Sequence, residues 1–424
     1  MKKLTVLIFA AAVMLSLCSC TGAGSVEELL SAPALTYDQR GIIDAVESYT
    51  KEKTVLKYPA SGDSRAPVQF ADLDDDGQNE AVVFFSIPSL GVYANVAVLE
   101  KAQSGKWEIL SVVEGLGDSI EGVSFIKNGH GNKRLLLVDW TNISKTDHQI
   151  AVYYYSDNVL SLGFEESCLS IIVYDIDEDG DVEFGYITAG RQYEPFKLKY
   201  VENINGSFVE VSEYSLSYDM VGYVKLTGGT LEDGTRAFFI DERLESGVVT
   251  SEVVLVRDMQ LVRADFAQDI RLRDICERSR TSLCCRSFKE NGPIYIPSDI
   301  SPVEMPAQDN GWVHWYTIEQ GVVKHAVSTY VEEGYNLALA MPDKWLGRVY
   351  VFKAENEPRL IIVKDIETGK ELLRVKVIMV GDETASYLDE GYVLTERAGS
   401  YRYYIKPGCT QEELEFIRRN FTIL

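Results

Sequence analysis

Two short stretches gather oxygen ligands at spacings that suit a metal ion. The first is Asp72-x-Asp74-x-Asp76-Gly77-x-x-Glu80 and the second is Asp175-x-Asp177-x-Asp179-Gly180-x-x-Glu183. Alternate carboxylates in a tight loop turn toward one point, and the glycine permits the sharp turn. The carbonyls of Gln78 and Asp181 can each add an oxygen, and Glu80 and Glu183 can close the shell directly or through water. Hard oxygen donors in this number suit calcium, held at about 0.1–1 mM as in extracellular modules. Neither loop is an EF-hand, because its twelfth position is Val83 in one and Tyr186 in the other, not a bidentate Glu. The residues after each loop read as strand, Ala81-Val82-Val83-Phe84-Phe85 and Phe184-Gly185-Tyr186-Ile187-Thr188. Each loop therefore closes a β-hairpin, and an ion there is expected to staple a turn rather than to catalyse. The plainer alternative is an acidic turn that holds no ion.

The elements that must position these loops repeat. Asp72 recurs as Asp175, 103 residues on, and Asp139 recurs as Asp241, 102 residues on, each within a matching segment. Between residues 56 and 331 short apolar strands alternate with turns of Gly, Asn, Asp or Ser, a mainly β pattern. Halving the period gives a unit of about 50 residues, the size of a four-stranded propeller blade. The expectation is a β-propeller-like repeat domain of about five blades, the fifth degraded and beginning near Ser287. The equivalent turns at 127–131 and 230–234 lack the acids, so no calcium is expected there. Residues 36–49 read as a helix, with Thr36 and Gln39 as a capping box and Ile42, Ile43, Val46 and Tyr49 on one face. Residues 332–424 read as a small α+β domain ending in a helix capped by Thr410 and Glu413.

The start of the chain reads as an export signal. Lys2 and Lys3 precede an apolar run over 4–17 that is shorter than a membrane-spanning helix. Leu17-Cys18-Ser19-Cys20 resembles a bacterial lipobox, which would put a lipid on Cys20 and the protein on the extracytoplasmic face of the cell membrane. The organisation expected is a lipoprotein signal over 1–20, a tether and short helix over 21–54, the repeat domain over 55–331 and the C-terminal domain over 332–424. The formal net charge of −24 repels phosphates, so a nucleic-acid partner is excluded, while cations are favoured. Of seven cysteines, five remain beyond Cys20, an odd number without C-x-x-C spacing, and they read as buried or idle thiols.

No catalytic signature stands out. There is no H-E-x-x-H, no G-x-S-x-G and no Walker A loop, and the four histidines lack metal-ligand spacing to one another. A glycosidase pair among the 65 acidic residues is recognised by separation in space and not by sequence. Trp312-Val313-His314-Trp315-Tyr316 offers a sugar or peptide platform, or more simply a strand that fills a core.

The two acidic hairpins resemble those of integrin-type FG-GAP and VCBS β-propellers. The wider chain resembles uncharacterised lipoproteins of Firmicutes that pair such repeats with a small C-terminal domain. The segments that carry this likeness are Leu56-Lys57-Tyr58-Pro59, and Gly334-Tyr335-Asn336 through Met341-Pro342-Asp343-Lys344-Trp345. Residues 287–297 depart from it, since they lack most acids of a further loop. The resemblance implies no activity. The function expected is a non-catalytic, membrane-anchored surface lipoprotein, calcium-stabilised and binding a protein or glycan. The alternative is an envelope hydrolase with an acidic active site.

Overall fold

Alternating apolar strands need partners on both faces, and the chain supplies them as a series of antiparallel sheets. The computed structural model describes residues 37–423 except 63, 92, 129–132, 143–147, 191–193, 205–206, 290, 306–310 and 382–389. Cys20, the expected signal and tether, and the Thr36 cap lie outside the described residues. The described chain is mainly β. The first sheet holds Val55–Leu56, Val68–Ala71, Glu80–Ser86, Ala94–Lys101 and Trp107–Glu114. The second holds Ser119–Lys127, Arg134–Thr141, His148–Ser156 and Val159–Cys168. Ser170–Tyr174, Glu183–Thr188, Lys197–Ile204 and Ser207–Ser215 form the third. Met220–Thr230, Arg236–Leu244, Val249–Arg257 and Gln260–Arg263 form the fourth.

The sequence repeat is also a repeat of register. Ala71 pairs with Glu80 as Tyr174 pairs with Glu183, and Lys127 pairs with Arg134 as Thr230 pairs with Arg236. Hairpin turns repeat too. Asp157-Asn158 in the second sheet, Asp258-Met259 in the fourth and Gln320-Gly321 in the fifth have both central residues at positive φ. Each joins the third strand of its sheet to the fourth through a two-residue loop. Such loops match the right-handed twist of the flanking strands.

The fifth sheet thus begins on the same plan, with Arg286–Ser287, Ile294–Ser298, Trp312–Glu319 and Val322–Glu332. It then continues past residue 331. Leu337–Met341 pairs with Val322–Glu332, and Phe421–Ile423 pairs with Leu337–Met341. The sixth sheet holds Val349–Ala354, Glu357–Asp365, Glu371–Met379, Tyr401–Pro407 and Val393–Ala398. Its Ile361 and Val375 share a core with Leu414 and Ile417 of the helix Gln411–Arg419 and with Leu339 of the fifth sheet. Thr410 and Glu413 cap that helix reciprocally, as the sequence predicts, and the Trp345 indole donates to Glu413 Oε1 at 2.7 Å.

Successive sheets pack face to face in chain order. Phe84 and Val96 of the first meet Val138 and Trp140 of the second. Leu137 and Val152 then meet Phe184 and Tyr186 of the third. Leu198 and Tyr200 meet Phe238 and Ile240 of the fourth, and Phe239 and Leu255 meet Ile296 and Ile318 of the fifth. The remaining face of the first sheet, with Ala81, Val83 and Phe85, lies under Ile42 and Val46 of the helix Tyr37–Thr50. Tyr49, expected on that apolar face, is instead 60% exposed at the end of the helix. The segment before the first acidic loop ties the first two sheets together. Leu56 pairs with Phe85, while Ser61 and Gly62 run parallel to Gly122 and Val123. Gly62 has φ +98°, and a Cβ there would lie 2.1 Å from the Val123 carbonyl oxygen, so only glycine fits.

The repeated aspartates Asp139 and Asp241 take different partners. Asp139 lies 2.9 Å from His148 Nδ1 at a half-buried position. Asp241 is fully buried and pairs with the equally buried Arg278, whose Nη2 lies 2.6 Å from Asp241 Oδ1. Arg278 also donates to Ser251 Oγ and to the carbonyls of Leu283, Cys276 and Pro297. Cys168, Cys276 and Cys285 are buried, Cys284 and Cys409 are half-buried, and all five thiols are free. Trp312, Val313, His314, Trp315 and Tyr316 are all buried, so this aromatic strand fills cores.

Candidate metal centre

Each acidic loop is built by its own backbone. In the first, Asp75 and Gly77 have positive φ, and in the second Glu178 and Gly180 do. These left-handed residues coil the chain so that backbone N–H groups face inward. Asp72 Oδ1 and Oδ2 accept from the N–H groups of Asp75 and Gly77. Asp175 Oδ1 accepts from Glu178 in the same way. The closing glutamates are fixed from the strand side. Glu80 Oε2 accepts from the Leu73 N–H at 2.8 Å, and Glu183 Oε2 accepts from the Ile176 N–H at 2.9 Å.

Three carboxylates converge in each loop. Asp72, Asp74 and Glu80 each offer an oxygen within 4.8 Å of the others, and so do Asp175, Asp177 and Glu183. A cation with oxygen ligands at about 2.3–2.6 Å spans about 4.6–5.2 Å between opposite donors, so these sets match its reach. Two observations favour a cation over a plain acidic turn. Asp74 Oδ1 and Glu183 Oε1 are buried with no hydrogen-bond partner. Glu80 and Glu183 themselves are buried. A buried carboxylate oxygen without a partner is costly, and a bound cation removes the cost.

Asp76 and Asp179 hydrogen-bond within the loops. Asp76 accepts from the N–H and the side-chain amide of Gln78, and Asp179 accepts from the Asp181 N–H. Gln78 and Asp181 thus donate to the loop aspartates through their N–H groups. Asp76 and Asp179 act here as braces of the turn, two residues from the converging oxygens.

Burial pushes the carboxyl of Glu80 up to about 7, and that of Glu183 up to about 8. Asp177 is raised as well, again chiefly by burial. In chelator these two glutamates contribute stability that is present below the ordinary carboxyl range and lost as pH rises through about 7 and 8. The melting temperature in chelator is therefore expected to fall over that window. A saturating divalent cation should flatten the fall, because it favours the ionised form. Glu80→Gln/Glu183→Gln should also flatten it, without any cation. A wild-type melt equally steep with and without cation would contradict this picture.

A second acidic grouping lies between the third and fourth sheets. Glu242 is fully buried, and Glu252 accepts from Ser217 Oγ at 3.0 Å. The cavity beside Glu252 is about 10 Å³ and is walled by Arg263, Arg271 and Arg273. That is room for about one water and not for a sugar ring. Sequence reasoning missed this grouping, because an acid on a strand of a strongly acidic chain carries no mark of burial. No protein-family model matches this chain, and the curated proteins hold no significant match to it.

Proposed function

We propose that this protein is a non-catalytic, exported binding module, held at the membrane by a lipid on Cys20 and stapled by two calcium ions. The observation that carries the reading is the duplicated cage of converging carboxylates, each with a buried, unpartnered oxygen. Calcium suits a cage of several hard oxygens on a flexible loop, at the millimolar concentrations found outside cells. Register repeats and face-to-face stacking support a propeller-like arrangement of the sheets, with the C-terminal strands and helix as an α+β addition. The lipobox-like Leu17-Cys18-Ser19-Cys20 is what supports a lipid anchor.

A glycan is the favoured partner. A cavity of about 190 Å³ lies between the fifth sheet and the C-terminal helix. Phe288 and Tyr295 stack on its wall with ring centroids 5.4 Å apart, and Glu232, Lys289 and Asp343 stand exposed at its rim. An apolar wall with a few polar groups around it is the usual make-up of a small-ligand site. Glycan screening with the full chain in calcium tests this. Lys289→Ala and Glu232→Ala are each expected to weaken a hit on the order of tenfold, about the worth of one charged hydrogen bond. Equal binding by both variants and the wild type would remove the cavity from the proposal. Melting temperatures with and without calcium test the staple itself.

A further inference from the structure

The two cages carry the same acids but different neighbours. Arg236, at the start of Arg236–Leu244 in the fourth sheet, reaches into the second cage. Its Nη1 lies 3.2 Å from Asp175 Oδ1 and its Nε lies 3.0 Å from Glu178 Oε1. Nη1 also donates to the Asp175 carbonyl, and the guanidinium sits over the Tyr174 ring at 5.3 Å. The residue that repeats Arg236 beside the first cage is Arg134, 102 positions earlier. Arg134 gives only its backbone N–H, to the Leu73 carbonyl at 3.3 Å; its side chain is exposed and forms no ion pair among the described residues. Among the described residues, one cage is therefore shared with a permanent cation and the other is not.

A guanidinium does not lose its proton, so Arg236 cannot be titrated out of the way. It also does not complete the cage, because Glu183 is fully buried and its Oε1 still lacks a partner. An incoming divalent cation must share Asp175 with Arg236 and sit near a positive charge. We infer that Arg236 is a resident counter-cation that lowers the affinity of the second cage, so that the two cages fill at separate calcium concentrations. This rests on reading both cages as cation sites. The separation expected from one partly exposed charge is on the order of tenfold.

Calorimetric titration of the full chain with calcium chloride tests the assignment. Two binding events are expected, the tighter lost in Asp74→Asn and the weaker lost in Asp177→Asn. Arg236→Gln should tighten the weaker event on the order of tenfold, and Arg134→Gln should move neither. Arg236→Lys, which keeps the charge, should resemble the wild type and so separates charge from packing on Tyr174. Simultaneous filling of both cages in the wild type, or a weaker event unchanged by Arg236→Gln, would overturn the inference while leaving the cages as cation sites. Absence of binding in every protein, the wild type included, would instead overturn the cation reading beneath it.

Discussion

Calcium added to the chelated protein is expected to raise its melting temperature by a few degrees, and Asp74→Ala with Asp177→Ala is expected to abolish the rise. An ion that binds only the folded state contributes about 1.4 kcal/mol per site at a free concentration tenfold above its dissociation constant. Two cages would add about twice that, a large share of the net stability of a folded domain. In chelator the same substitutions should cost little, because they remove carboxylates that crowd Glu80 and Glu183. Asp74 is the more telling of the pair, since its Oδ1 is buried and unpartnered. Identical melts for wild type and double variant at saturating calcium would sink the staple.

A larger loss is expected from Arg278→Ala, on the order of 3–5 kcal/mol, because it strands the buried charge of Asp241. The guanidinium also ties the carbonyls of Cys276, Leu283 and Pro297 to the fourth sheet. Removing it leaves Asp241 the neutral donors of Cys285, its N–H and its thiol, and the hydroxyl of Ser251. Arg419→Ala is the matched control. Its ion pair with Glu415 lies at the surface, with side chains 80% and 53% exposed, and should cost under about 1 kcal/mol. Denaturant midpoints for the two variants measure the contrast, and equal losses would contradict the argument.

The strands were legible because their alternation and their turns are local. The hairpins around Asp72 and Asp175 could be placed from a nine-residue pattern, and the helix over Tyr37–Thr50 from the spacing of Ile42 and Val46. The split roles of the acids were not legible. Asp74 and Asp76 are the same residue type two positions apart, yet one turns into the cage and the other holds Gln78. That choice is made by backbone dihedrals at Asp75 and Gly77. Arg236 and Arg278 were invisible for another reason. Each meets its acid across tens of residues, 61 from Asp175 and 37 from Asp241. Charge on a strongly acidic chain gives no hint of which pair will meet. The extension of the fifth sheet by Leu337–Met341 and Phe421–Ile423 likewise depends on pairing between distant parts of the chain.

The N-terminal helix over the first sheet also limits what the molecule can join. Sheets that stack face to face offer, at the last one, an oily plane that another copy could extend indefinitely. Ile42 and Val46 seal that plane, and Arg40, Asp44 and Ser48 turn a wetted, charged side outward. That face of the first sheet is therefore closed by the chain's own helix.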